Sequence, residues 1–116
     1  MRVCVWVDPT VGEVDDTLLT VARELIDNAA EHSEAGRLDV SVGREECGVV
    51  LDVSDDGVGT TPDELQRARA AGHLGLAICA GRVDARGGQF DIDTSRGRGM
   101  HVRAEFPPLR RLLRAV

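Results

Sequence analysis

Apolar residues return along the chain with two different periods, which predict where strands and helices lie. Alternation over residues 3–7 predicts a short strand. Over residues 16–33 the apolar positions recur every three or four residues, which predicts a helix with Asp15 or Asp16 as its N-cap. Gly36 follows this helix and is expected to be its C-cap.

The rest of the chain gives two pairs of strands with two helices between them. The spacing of Thr61 and Glu64 is that of a capping box, and Pro62 suits the first helical position. The predicted elements are strands at 38–42 and 49–54 around a loop at 43–48, helices at 64–70 and 74–85, strands at 90–92 and 102–106 around a glycine hairpin at 95–99, and helical spacing in 109–116. In the helix 74–85 we expect Leu76, Ile78, Cys79 and Val83 to face inward.

This order of elements predicts the fold class. Strand, helix, two strands, two helices and two strands suit an α+β protein, a two-layer α/β sandwich with a mixed, mostly antiparallel sheet covered by helices on one face. The length of 116 residues suits a single domain over residues 1–116. Residues 3–107 form its expected core, and 108–116 form a tail.

Charge and cysteine content exclude several classes of function. The net charge is −6 and all 14 basic residues are Arg, so we expect no nucleic-acid binding, and any bound polyanion should be small and neutralised by a metal ion. The cysteines Cys4, Cys47 and Cys79 have no metal-ligand spacing, so we expect reduced, mostly buried thiols. No segment has the roughly 20 apolar residues of a membrane helix, so we expect a cytoplasmic domain without membrane contact.

Three polar residues, Glu24, Asn28 and His32, lie four residues apart along one edge of the first helix. They form either a solvated helix edge or the wall of a site. In a site, the Asn28 amide oxygen suits Mg²⁺ and the Glu24 carboxylate suits the orientation of an attacking group.

Two glycine-rich segments are candidates for nucleotide binding. Asp55-x-Gly57-x-Gly59 follows a strand, so a carboxylate stands at the strand end and can accept the amino group of adenine, although an ordinary turn has the same pattern. Gly72-His73-Leu74-Gly75-Leu76 opens a helix, where free backbone N–H groups can bind phosphate, although close-packing glycines give the same string.

The order and spacing of these segments resemble the ATPase fold shared by gyrase, histidine kinases and MutL. The closest resemblance is to the catalytic domain of sensor histidine kinases of the nitrate-sensor class, over residues 3–107. Residues 24–32 resemble the N box of that family, residues 55–59 its G1 box and residues 72–76 its G2 box. Arg82-Val83, Gly87-Gly88 and Gly97-Arg98-Gly99 match its closing helix and hairpin.

The resemblance implies a role for each matching residue. Asn28 would bind Mg²⁺, Asp55 would bind the adenine amino group, and the backbone at Gly57 and Gly59 would face the nucleotide. His32 and residues 72–76 would contact the phosphates, residues 60–71 would form a lid with Arg67 and Arg69, and Glu24 would assist the attacking imidazole. Two residues depart from the family pattern, namely Glu31, where Lys or Arg is usual, and Met100, where Thr or Ser is usual.

The implied function is the transfer of the γ-phosphate of Mg²⁺-ATP to a histidine in two-component signalling. His32, His73 and His101 all fall inside the ATPase unit, so the acceptor is expected on a separate dimerisation and phosphoacceptor domain, followed by a response regulator. The parent protein can be membrane-anchored, and the isolated domain is expected to be a monomer. The alternatives are a serine protein kinase of the anti-sigma type and a non-catalytic binding module, which is either nucleotide-responsive or unable to bind nucleotide.

Overall fold

The order of strands and helices in the structure is the order that the sequence predicts. The computed structural model describes residues 1–32, 34–46, 48–72 and 75–108, without the side chains of His32 and Arg69. The elements are β1 (Arg2–Val7), a 3₁₀ turn (Pro9–Val11), α1 (Asp16–His32), β2 (Arg37–Glu45), β3 (Gly48–Asp55), α2 (Pro62–Ala70), α3 (Gly75–Ala85), β4 (Gln89–Thr94) and β5 (Met100–Phe106). The helix predicted for the tail lies outside the described residues.

The strands form one mixed sheet in the order β1-β2-β3-β5-β4. β1 and β2 are parallel, with Val5 opposite Val40, and the other three pairs are antiparallel. In the β3–β5 ladder Asp55 is opposite Met100. α1 and α3 pack against each other and against one face of the sheet, so the predicted α+β two-layer architecture is confirmed.

The core lies between α1, α3 and the covered face of the sheet. It is built from residues three or four apart on the helices and two apart on the strands, as the two periodicities require. Its main members are Leu18, Val21 and Leu25 from α1, Cys79 and Val83 from α3, and Leu38, Val40, Leu51, Val53, Val102, Ala104 and Phe106 from the sheet. Among the described residues, no helix is long and apolar enough to cross a bilayer.

Cys79 is fully buried in this core. Burial raises the pKa of its thiol to about 11, with a smaller contribution from the nearby Glu24 carboxylate. Its burial agrees with the expectation of mostly buried thiols, and a neutral, inaccessible thiol is a poor nucleophile. Cys4 is half-buried on β1, and Cys47 lies outside the described residues.

Three details of the helices differ from the sequence prediction. Ile78 is 47% exposed, because the inward residues of α3 are three and four apart and Ile78 lies beside that stripe. Gly36 does not have a left-handed backbone; Glu34 does, with φ 55°. The N–H of Gly36 instead donates to Asp56 Oδ1 at 2.9 Å. α2 begins at Pro62, because Thr61 Oγ1 accepts the N–H of Glu64 at 3.2 Å and caps the helix.

The strands also differ from the prediction. β2 continues to Glu45 and β3 begins at Gly48, so the loop predicted at 43–48 is mostly strand. Arg44 and Glu45 continue the strand on its two faces, but neither is apolar, so the hydrophobic pattern ends at Val42 while the strand goes on. β1 is at one edge of the sheet, and its Val3, Val5, Trp6 and Val7 are 45–63% exposed.

A partly buried ion pair joins the start of α1 to the end of α3. Asp15 Oδ1 accepts the N–H of Thr17 at 2.6 Å, and Asp15 Oδ2 accepts Arg86 Nε at 2.6 Å. The two charged side chains are only 16% and 15% exposed. Burial raises the pKa of the Asp15 carboxyl, but the hydrogen bonds from Arg86 and Thr17 outweigh it, and the pKa lies below its usual range.

A second constraint joins the β3–α2 loop (residues 56–61) to the β4–β5 turn (residues 95–99) by main-chain contact. A Cβ at Gly59 would lie 1.9 Å from the carbonyl oxygen of Ser95, and a Cβ at Gly99 would lie 2.0 Å from that of Asp55. Both glycines have positive φ, 67° and 76°. The N–H of Gly97 donates to the carbonyl of Val58 at 2.6 Å. No side chain fits between these two segments.

Replacing Asp15 by Asn should destabilise the domain, because the largely buried Arg86 loses its counter-charge. We expect the free energy of unfolding in urea to fall by about 1–3 kcal/mol at pH 7. Since the folded pKa of Asp15 is lowered, its contribution is full at neutral pH and is lost as the pH falls below about 4 and through that lowered pKa. The stabilities of the variant and the wild type should therefore differ least in acid.

Glu13→Gln, at an exposed neighbouring carboxylate, is the control. If both substitutions lower the free energy of unfolding equally, the role of the ion pair is contradicted.

Gly59→Ala should destabilise the domain by about 2–4 kcal/mol, because the methyl group clashes with a carbonyl and the φ is unfavourable. Gly43→Ala is the matched control, since its Cβ would meet nothing within 4 Å and its φ is not positive. Urea unfolding measures both. If the two variants unfold at the same urea concentration, the contact between the β3–α2 loop and the β4–β5 turn is not tight.

Candidate functional site

A cavity of about 350 Å³ lies where the ends of β3 and β5 meet α1, α2 and α3. This volume is within the range of small-molecule sites. Among the described residues, four polar ones line it: Asn28, Asp55, Thr60 and Glu64. The apolar part of the wall includes Leu65, Leu76, Ile92 and Met100. Such a wall suits a flat organic ring with a few polar groups.

Asp55 is the last residue of β3 and stands at the inner end of the cavity. Its Oδ1 accepts the N–H of Gly57 at 2.8 Å, which holds the carboxylate in one orientation. Its Oδ2 has no hydrogen bond to another described residue. Because the carboxylate is half-buried, this oxygen is a strong acceptor for a ligand donor.

α1 contributes the polar edge that the sequence predicts. Asn28 is half-buried in the cavity wall, and its side-chain amide makes no hydrogen bond within the described part of the chain. Glu24 lies one turn earlier and is exposed. Its Oε2 is 3.6 Å from the position that a Cβ of Gly75 would occupy, so the edge of α1 reaches the first residue of α3.

The N-terminal end of α3 forms another side of the cavity. Gly75 is its first residue, and Leu76 and Ala77 line the wall. The N–H groups of a first helical turn have no partner within the helix and carry partial positive charge. Gly72, three residues before the start of α3, is exposed and has a positive φ of 91°. This end of the cavity can therefore attract an anion.

The structure thus brings together Asn28, Asp55, Gly59 and the first turn of α3. Gly57 is buried, and its N–H is used by Asp55, so it shapes the loop without lining the cavity. The side chain of His32, and both His73 and Leu74, lie outside the described residues. Of the two lid arginines, Arg67 is exposed and the side chain of Arg69 is not described.

The resemblance assigns residues 60–71 to a lid, but the sequence did not indicate which of them line the cavity or that β4 contributes to it. Thr60, Glu64 and Leu65 place the start of α2 over the opening, and Ile92 comes from β4. The link between these elements is a hydrogen bond from the N–H of Thr60 to Thr94 Oγ1 at 3.1 Å. Its two residues are 34 positions apart, so no local pattern reveals it. Met100, a departure from the family pattern, also lines the cavity.

Comparison with known proteins agrees with this geometry. The model of the histidine kinase-, DNA gyrase B-, and HSP90-like ATPase family matches residues 13–110. The sensor histidine kinase NarS of Mycobacterium tuberculosis (strain ATCC 25618 / H37Rv) is 41% identical over 99 residues, which are 85% of this chain and 23% of NarS. The chain spans about a quarter of that relative's length.

Solved structures share the fold. The histidine kinase domain of the blue-light activated histidine kinase EL346 from Erythrobacter litoralis has a TM-score of 0.72 at 21% identity, over 91% of this chain and 51% of that one. Full-length ShkA, solved in complex with AMPPNP, has a TM-score of 0.72 at 27% identity, over 91% of this chain and 25% of ShkA. The chain therefore belongs to the histidine kinase-, DNA gyrase B-, and HSP90-like ATPase family, and corresponds to the catalytic ATP-binding domain of sensor histidine kinases.

Proposed function

We propose that this chain binds Mg²⁺-ATP in the cavity and donates the γ-phosphate to a histidine on a separate dimerisation and phosphoacceptor domain. The observation that supports this most is the convergence of Asn28, Asp55 and the first turn of α3 on one cavity. Each supplies a different chemistry that a nucleotide needs. The family supports an ATP-dependent kinase, and ShkA, which shares the fold, was solved in complex with AMPPNP.

The adenine base is proposed to occupy the inner part of the cavity. The free oxygen of Asp55 accepts the exocyclic N–H of adenine, while Leu65, Ile92 and Met100 provide apolar surface for the ring. When a ligand covers this carboxylate oxygen without donating a hydrogen bond to it, the free energy of binding is less favourable by about 1–3 kcal/mol than with a ligand that does donate one. This difference favours a base with an amino group at that position.

The phosphates are proposed to lie between the edge of α1 and the start of α3. Residues 72–76 supply backbone N–H groups, and the Asn28 amide oxygen is a fitting ligand for Mg²⁺, which neutralises phosphate charge when bound. The described residues contain no cluster of three or more His, Cys, Asp or Glu side chains that could hold a metal ion. Mg²⁺ commonly uses only one or two protein oxygens together with phosphates and water, so the residues present suit it.

Glu24 is proposed to act on the attacking imidazole. It lies on the exposed rim beside Gly75, where an incoming acceptor can reach it, and not in the adenine part of the cavity. Its carboxylate can accept the proton of the ring nitrogen that does not attack, which leaves the lone pair of the other nitrogen free to attack phosphorus as ADP leaves, and can hold that ring in line with the γ-phosphate. Positioning by this residue and by the cavity wall supplies most of the catalysis.

The acceptor is proposed to come from another domain, with a response regulator downstream. His101 supports this, because it lies on the uncovered face of the sheet with Nε2 2.7 Å from Asp52 Oδ1. It is therefore separated from the cavity by the sheet. Because ATP is the donor, we expect the reaction in the cytoplasm, and we expect the isolated domain to be monomeric.

Asp55→Asn tests the adenine assignment with almost no change of shape. The retained side-chain oxygen can still accept the N–H of Gly57, but the new amide group donates where the base donates. We expect ATP affinity in calorimetry to fall about ten- to a hundredfold. Asp91→Asn, at an exposed carboxylate of β4, should bind like the wild type. Unchanged affinity in the Asp55 variant, with the fold intact by circular dichroism, would refute the assignment, and so would unchanged affinity in Asp55→Ala.

Glu24→Gln should lower the rate of phosphoryl transfer to a purified phosphoacceptor-histidine domain by about a hundredfold, since the base is lost. ATP affinity should stay near that of the wild type, because Glu24 lies outside the adenine wall. The labelled product should be acid-labile, as phosphohistidine is. An acid-stable product would favour a serine kinase, and an absence of any ATP binding in the wild type would favour a non-catalytic module.

A further inference from the structure

We propose that Arg96 is a positioning residue for the nucleotide: it pairs with Glu64, holds the first turn of α2 over the cavity and slows the release of bound nucleotide. This inference rests on the proposed nucleotide binding. Arg96 lies in the β4–β5 turn and does not line the cavity, so it acts through Glu64. We call this pair, together with Thr60, the lid clamp.

Glu64 connects the cavity wall to the turn. Its Oε1 accepts a hydrogen bond from the Arg96 guanidinium, and its Oε2 accepts one from Thr60 Oγ1 at 3.1 Å. The hydrogen bond from Arg96 lowers the pKa of the Glu64 carboxyl, with a further contribution from Thr60, so the group stays ionised at neutral pH. Both oxygens of a residue in the cavity wall are therefore fixed by neighbours.

A second link holds the same end of α2. The N–H of Thr60 donates to Thr94 Oγ1 at 3.1 Å, and that hydroxyl donates to the carbonyl of Gly99 at 2.7 Å. Thr94 and Arg96 flank the start of the β4–β5 turn, which is itself held by main-chain contacts at Gly59 and Gly99. The clamp thus attaches α2 to a rigid part of the fold.

Apolar packing gives α2 little support. None of its described side chains is fully buried, whereas, among the described residues, α1 buries four and α3 buries two. Leu65 and Ala68 are half-buried and face the cavity, where a ligand would cover them. Polar links at its first turn therefore decide whether α2 stays over the cavity. Because the Arg96 side chain is 76% exposed, the effect should be moderate.

The test measures release of a fluorescent ADP analogue with Mg²⁺ by stopped flow. We expect Arg96→Ala and Glu64→Gln each to increase the dissociation rate about two- to fivefold. The double variant should release nucleotide no faster than the faster single variant, because both changes break the same pair. Arg98→Ala is the matched control, since Arg98 is exposed in the same turn and its side chain has no hydrogen bond or ion pair within the described residues. Arg96→Lys should restore part of the wild-type rate.

A second measurement separates failure of the clamp from failure of nucleotide binding. Hydrogen exchange of the amides in residues 65–70 of the nucleotide-free protein should be about two- to fivefold faster in Arg96→Ala and Glu64→Gln than in Arg98→Ala. A wild type that binds no nucleotide would refute the proposed function, while the exchange result would still judge the clamp. The proposed lid clamp would be overturned if the hydrogen-exchange rates were unchanged in the two variants. It would also be overturned if their effects on the nucleotide dissociation rate were additive in the double variant.

Discussion

The contact on which the cavity depends is main chain against main chain, between the β3–α2 loop and the β4–β5 turn. At Gly59 and Gly99 the two segments approach so closely that a single methyl group would overlap a carbonyl oxygen. This contact fixes the direction in which the chain leaves β3, and so it fixes the orientation of the Asp55 carboxylate. It also explains why glycine is needed at Gly59 without reference to a ligand. The DxGxG pattern thus has a role in folding that is independent of the binding proposed for it.

The other half of the site depends on how α1 divides its surface. One stripe, including Leu25 and Ala29, packs in the core beside Cys79 of α3. The adjacent edge carries Glu24 and Asn28 toward the start of α3 and the cavity. Because a helix is rigid, the core contacts that hold α1 against α3 also set the spacing between the polar edge and the α3 N-terminus. The ion pair of Asp15 and Arg86 supports this arrangement at the far ends of the two helices.

Sequence reasoning predicted the parts of this molecule that follow local rules. Hydrophobic periods located α1 and the sheet, the cap at Thr61 located α2, and the spacing of Asp55 and its glycines located the inner end of the site. It failed where the deciding contact is distant or where a strand continues past its last apolar residue. The β2–β3 ladder therefore extends further than predicted. The place of Glu64 in the wall was also missed, since its spacing from Thr61 indicates only a capping residue and its pairing with Arg96 is not visible in the sequence.

The register of the central ladder has a further consequence. Asp55 and Met100 stand directly opposite each other on the two strands that lie next to one another in the sheet. Side chains on a strand alternate between faces, so a slip of one residue would turn the Asp55 carboxylate from the helical side to the uncovered side. The same slip would expose Val53 and Leu51, which are buried in the core. Misregistered chains would therefore lose the core and the inward-facing Asp55 carboxylate together. In a partly misfolded preparation, the correctly folded molecules would keep the proposed site with its full affinity, and the others would lack it. The number of sites per molecule would fall, while the affinity of each remaining site would not.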